Sequence, residues 1–154
     1  MKTIKKIIVW LIFLLYVSIL GYMLFFQYRS GGSSLTDIPS YAKDHTNLIP
    51  FGTIKNYWKL MTSNGLGMIF NHAFSFYNLM GNIALFIPMG FLLPILFKKL
   101  RVFKKCVWIS FIILLCIEIL QLFTMRGSFD VDDIILNMLG ILTCILIYHL
   151  PGFN

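Results

Sequence analysis

The sequence predicts an all-α membrane protein: a bundle of four transmembrane helices, with an outer amphipathic segment between helices 1 and 2. Three observations carry that fold class. Of the 154 residues, 12% are charged and 58% hydrophobic, whereas a soluble domain carries about 25% charged and roughly 45–50% apolar residues. Mean hydropathy is +0.82. The apolar residues collect into four runs, at about 7–26, 74–97, 106–123 and 134–150, each near the ~20 residues that cross a hydrocarbon core of about 30 Å. A disordered chain, a disulfide-rich secreted module and an ordinary soluble enzyme are excluded. The length fits one integral membrane domain over residues 1–154.

The first run, Ile7 to Phe26, carries no charge and follows M-K-T-I-K-K. It exceeds the 7–15 apolar residues of a signal-peptide core, and no small-residue cleavage site follows. It therefore reads as a retained anchor helix. The second run is interrupted by Asn78, Gly81, Asn82, Pro88, Gly90 and Pro94, and proline inside a helix removes a backbone hydrogen bond and bends it. The third carries Glu118 and Gln121, the fourth Asn137 and Gly140.

Charge orients these runs. The net charge of +7 would suggest a nucleic-acid partner in a soluble protein, but no reader motif is present. The basic residues instead gather as Lys2, Lys5 and Lys6 at the start and Lys98, Lys99, Arg101, Lys104 and Lys105 between runs two and three, with no acid in either place. That is the positive-inside pattern. It predicts cytoplasmic N- and C-termini, a multi-pass topology, the lipid bilayer as partner and no nucleic acid. Cys106, Cys116 and Cys144 are odd in number and lie in or beside apolar runs without C-x-x-C spacing, so neither a disulfide framework nor a zinc site is expected. His45 and His72 have no metal-ligand spacing; no metal or cofactor is predicted.

The outer connection, 27–73, opens with Gly31-Gly32-Ser33-Ser34, a flexible composition. Further on, Ile54, Tyr57, Trp58 and Met61 follow helical i, i+3, i+4, i+7 spacing. Two placements fit: a helix on the outer membrane surface, or a lid packed over the bundle.

Polar residues inside the runs point to function, because the bilayer penalises them. Glu118 lies 12 residues into the third run, about 18 Å from its cytoplasmic start at about 1.5 Å per residue. A charged side chain near a helix centre costs about 2.5–3.5 kcal/mol on insertion scales. Gln121 shares its helical face. In the second run Asn78 and Asn82 stand four apart, and the spacing of Asp130, Asp133, Asn137 and Gly140 puts them on one face of the fourth, with Asp132 to another side. Arg126, in the short loop between the third and fourth runs, is a natural partner for Asp130, Asp132 or Asp133. Asn78, Asn82, Glu118, Gln121, Asp133 and Asn137 thus converge in a candidate polar site beneath the outer surface, with Arg126 and Asp130 at its mouth. Each has a blander alternative: asparagine and glutamine as interhelical glue, and the aspartates as a solvated helix start.

Three blocks resemble the VanZ-like membrane proteins: N-L-I-P-F-G-T-I at 47–54, N-L-M-G-N-I-A-L-F-I-P-M-G-F-L-L-P at 78–94, and E-I-L-Q-L-F-T-M-R-G-S-F-D-V-D-D-I-I-L-N-M-L-G at 118–140. The resemblance implies a bacterial plasma-membrane protein of the class linked to reduced susceptibility to teicoplanin and related lipoglycopeptides. The family's polar signature falls on Asn78, Asn82, Phe86, Pro88, Gly90, Glu118, Gln121, Arg126, Asp130, Asp133, Asn137 and Gly140. The family carries no agreed reaction.

Two functional readings follow. One is a non-enzymatic factor whose outward-opening polar cluster engages a lipid-tailed glycopeptide, or the lipid-linked cell-wall precursor that it binds. The other is a membrane enzyme acting on a lipid head group or precursor, with Glu118 as acid or base and Arg126 holding an anion. Against the enzyme, no nucleophile–base pair, metal quartet or phosphate loop is recognisable. A structural or partner-binding bundle is a further alternative.

Overall fold

The computed structural model describes residues 2–26, 35–62 and 68–151; the Gly31–Ser34 stretch and the side chain of His72 lie outside them. Four described helices are long and apolar enough to cross a membrane. They are α1 (Lys2–Phe25), α4 (Met68–Leu96), α5 (Phe103–Phe123) and α6 (Val131–Tyr148), and they make the chain a multi-pass membrane protein. Between α1 and α4 lie α2 (Ile38–Asp44), a two-residue strand β1 (Thr46–Asn47) and α3 (Gly52–Thr62); β2 (Phe129–Asp130) precedes α6.

The spanning helices start earlier than hydropathy places them. Met68 precedes the expected start near 74 and Lys2 precedes Ile7. The reason is physical: loss of apolar character marks where the bilayer ends, whereas a helix ends only where its backbone is capped or broken. Nothing in residues 68–73 or 2–6 breaks it.

The core lies between α4 and α6. Phe86, Met89 and Leu93 pack with Ile134, Ile141 and Ile145. Two glycines let the backbones approach, as small residues do in membrane bundles. A Cβ at Gly140 would run into the Ile83 carbonyl, and one at Gly90 would meet the Ile141 carbonyl and lie 2.8 Å from the Cys144 Cβ. Phe86 and Gly90 thus serve packing. Pro88 and Pro94 both lie inside α4. Near the first of them the Tyr16 hydroxyl donates to the Leu85 carbonyl at 2.9 Å, tying α1 to α4. Otherwise α1 is peripheral, with Leu20 its one buried residue among those described.

The two ends of the bundle differ in chemistry. At one end, residues 98–105 carry only basic charges, and the beginning of α1 and the end of α6 lie beside them: Lys5 and Lys6 share a depression with Lys98 and Arg101, and the His149 Nε2 lies 2.8 Å from the Arg101 carbonyl. At the other end the connection folds over the α5–α6 loop. There β1 pairs in parallel with β2, Thr46 opposite Phe129 and Asn47 opposite Asp130.

The amphipathic segment is helical, as its spacing predicts. Helix α3 packs on α4 with Ile54, Tyr57 and Met61 half-buried, while Trp58, expected on that same face, is 64% exposed.

Candidate functional site

The α5–α6 loop is shaped by how α5 stops. Met125 has φ of 51°, a left-handed conformation that usually calls for glycine. Its amide donates to the Leu122 carbonyl at 3.1 Å and the Arg126 amide to the Gln121 carbonyl at 2.9 Å. These two bonds form a Schellman motif, and the buried Met125 side chain anchors it. The turn sends Arg126, Gly127 and Ser128 back toward α4.

Helix α6 begins under a carboxylate. Asp130 is its N-cap, and its side chain accepts from the Asp132 amide at 2.8 Å, satisfying one of the orphan donors of a helix start. The same carboxylate accepts from the Thr53 hydroxyl at 2.6 Å and from the Asn47 amide at 3.3 Å. Asp132, with no exposed surface, accepts from the Phe51 and Ile54 amides at 2.5 and 3.0 Å. It thereby caps α3 from a different helix, where the positive end of the α3 dipole favours an anion. Phe51, at φ 64°, holds the left-handed backbone that aims its amide at this carboxylate. Glu118, 3% exposed, accepts from the Asp130 amide at 3.2 Å. Together these groups form a latch joining the connection to α5 and α6.

A cavity of about 490 Å³ lies beside the latch, between α1, α3, α4 and the α5–α6 loop. Its polar wall is Asn78, Asn82, Gln121, Arg126 and Asp133, with Tyr57, Tyr77 and Ser128; Met23, Leu24 and Leu85 form an apolar wall. Asn82 donates its amide to the Asp133 carboxylate. The Gln121 amide donates to the Leu24 carbonyl of α1 at 3.2 Å. Gly81 borders the cavity, and a Cβ there would meet open space.

Of the eight candidate residues, Asn78, Asn82, Gln121, Arg126 and Asp133 thus line one cavity, while Glu118 and Asp130 belong to the latch. Asn137 is buried at 4% exposure, with its Oδ1 unpartnered. Asp130 leaves the face expected for it, because an N-cap residue is extended (φ −126°, ψ 121°) and helical spacing does not apply to it. Among the described residues, no ion pair joins Arg126 to Asp130, Asp132 or Asp133. The first two carboxylates are held by amide and hydroxyl donors, and Asp133 by Asn82. Gln121 turns to α1 while Glu118 turns to the Asp130 amide, so the two do not act as one donor–acceptor pair.

Sequence reasoning missed Asn47, Thr53 and Asp132 as members of the acidic network, and the two tyrosines of the cavity. Asn47 opens the block N-L-I-P-F-G-T-I, and Thr53 follows its Pro50 and Gly52 turn residues. Turn residues of that kind are a signal of capping, but not of which distant carboxylate they meet. Among the described residues no group of three or more His, Cys, Asp or Glu side chains is arranged to hold a metal ion. The four clustered carboxylates point at different donors. The arrangement can bind a polar group through one guanidinium, one carboxylate and three amides, beside an apolar wall.

A family model described as VanZ/LLP1 matches residues 13–151. No curated protein and no solved structure matches the chain.

Proposed function

The chain belongs to the VanZ/LLP1 family, and from that premise we propose that it lowers susceptibility to teicoplanin-type lipoglycopeptides by binding at the cavity walled by Arg126 and Asp133. The observation that carries the reading is the composition of that cavity: a guanidinium, a carboxylate and three amides face a wall of Met23, Leu24 and Leu85. A ligand with a polar body and a lipid tail fits both walls. A lipoglycopeptide has that character, and so does the lipid-linked cell-wall precursor. The positive-inside distribution of lysines supports a plasma-membrane orientation with both termini cytoplasmic, which opens the cavity toward the outer leaflet where such molecules meet.

The non-enzymatic form of this reading is preferred because Glu118 does not line the cavity and spends an oxygen on the Asp130 amide. Expression in a susceptible bacterium tests it. Tolerance of teicoplanin should rise while that of vancomycin, which lacks the acyl tail, stays near its starting value. Equal effects on both, or on neither, contradict the proposal. An altered lipid or precursor profile on expression would replace it with the enzyme reading.

A further inference from the structure

The basic end of the bundle carries two depressions that meet. An apolar groove of about 590 Å³ runs between α1, α4 and α5, walled by Phe13, Leu93, Leu96, Phe97, Ile109 and Ile113. A depression of about 700 Å³ beside it carries Lys5, Lys6, Lys98 and Arg101. The two share Leu96 and Lys98. No acidic residue occurs in residues 1–36 or 95–117, so these cations meet no counter-charge from their own segments. Arg101 is held in place: its Nε donates to the Pro94 carbonyl at 3.4 Å, in the last turn of α4, where a cation also suits the helix dipole.

We propose that this groove binds an anionic glycerophospholipid of the adjacent leaflet, its acyl chains against Phe13, Leu96 and Ile113 and its phosphate among Lys5, Lys6, Lys98 and Arg101. Within the bilayer an apolar groove offers water no polar partners, and acyl chains fill it at no desolvation cost. Headgroup choice follows from charge. Four clustered cations favour a lipid with net negative charge over a zwitterionic one, and the Arg101 guanidinium can take a phosphate through two parallel bonds. The site lies at the opposite end of the bundle from the polar cavity and stands independently of what that cavity binds.

Trp10 reports on it, because its ring lies 5.7 Å from that of Phe97 in the groove wall. Trp58 and Trp108 are 64% and 65% exposed, so Trp58→Phe and Trp108→Phe leave Trp10 as the lone tryptophan at little structural cost. In phosphatidylcholine vesicles containing phosphatidylglycerol with brominated chains, Trp10 quenching should match a local phosphatidylglycerol fraction on the order of five-fold above the bulk for each cation engaged. Brominated phosphatidylcholine should quench only in proportion to its bulk fraction. Lys98→Gln with Arg101→Gln should lower the phosphatidylglycerol preference by roughly 25-fold, the share of the two cations removed, and Lys98→Arg should preserve it. Equal quenching by both lipids in the protein with its four cations intact overturns the proposal, whatever the folding of the variants. Absence of quenching by either lipid also overturns it and assigns the groove to a second copy of the chain.

Discussion

Asp132 shows how a single carboxylate can be costly and structural at once. Its two oxygens receive the Phe51 and Ile54 amides, at the start of a helix on another part of the chain. Removing it leaves two backbone donors without a charged acceptor, and Asp132→Ala should lower the unfolding free energy in detergent by about 2–4 kcal/mol. Asp132→Asn, which keeps one oxygen, should cost less; an unfolding midpoint unchanged by Asp132→Ala would dissolve the latch. Tyr41 makes a second tie, donating its hydroxyl to the Gly127 carbonyl at 3.1 Å. Burial raises the Tyr41 pKa above its ordinary value of 10.0. A group whose folded pKa is raised contributes stability that is fully present below the unfolded value and is lost as pH rises through the folded one. The tie should therefore hold at neutral pH and fail only in strong alkali. Tyr41→Phe should remove that alkaline step from the stability profile and cost about 0.5–1.5 kcal/mol at neutral pH.

Among the elements, the packing of α4 against α6 decides whether the cavity exists, because Asn82 and Asp133 reach it from these two helices. Gly140→Val should separate them, since even a Cβ there meets the Ile83 carbonyl; overpacking of this kind costs about 1–3 kcal/mol or more. Gly81→Ala, facing open space, should be neutral or stabilising by about 0.5–1 kcal/mol from helix propensity. Thermal unfolding of the two variants side by side reads the difference. The four spans were legible in the sequence because hydropathy over about 20 residues is a strong signal. Helical spacing also put Asn78 and Asn82 on one side of α4, where both line the cavity. What spacing could not give was the pairing between distant segments: the latch joins Asn47, Phe51, Thr53 and Ile54 to residues 118–132. Those contacts depend on non-helical backbone at Phe51 and Asp130, where no period applies. Spacing likewise grouped Trp58 with Ile54, Tyr57 and Met61 although it is 64% exposed, and paired Arg126 with carboxylates that amide and hydroxyl donors hold.

At the scale of the whole molecule, the charges divide the labour. The basic end carries the positive-inside signal, and the opposite end holds the latch and the cavity. If the positive-inside reading holds, cysteines substituted at Lys104 and Lys59 should be labelled by an impermeant reagent from opposite sides of the membrane, Lys59→Cys from outside and Lys104→Cys only after permeabilisation. The reverse pattern would turn the cavity to the cytoplasm and remove its access to an external antibiotic. The proposed function makes the cavity itself the working part, and it can be closed without disturbing the latch. Gly81 borders it, with room for a side chain. The most direct measurement is therefore teicoplanin susceptibility of cells expressing Gly81→Leu at the wild-type level, with insertion and unfolding temperature checked on the purified protein. Loss of protection by a stably folded, correctly inserted Gly81→Leu protein is the predicted result; protection as strong as that given by the unsubstituted chain would contradict the account.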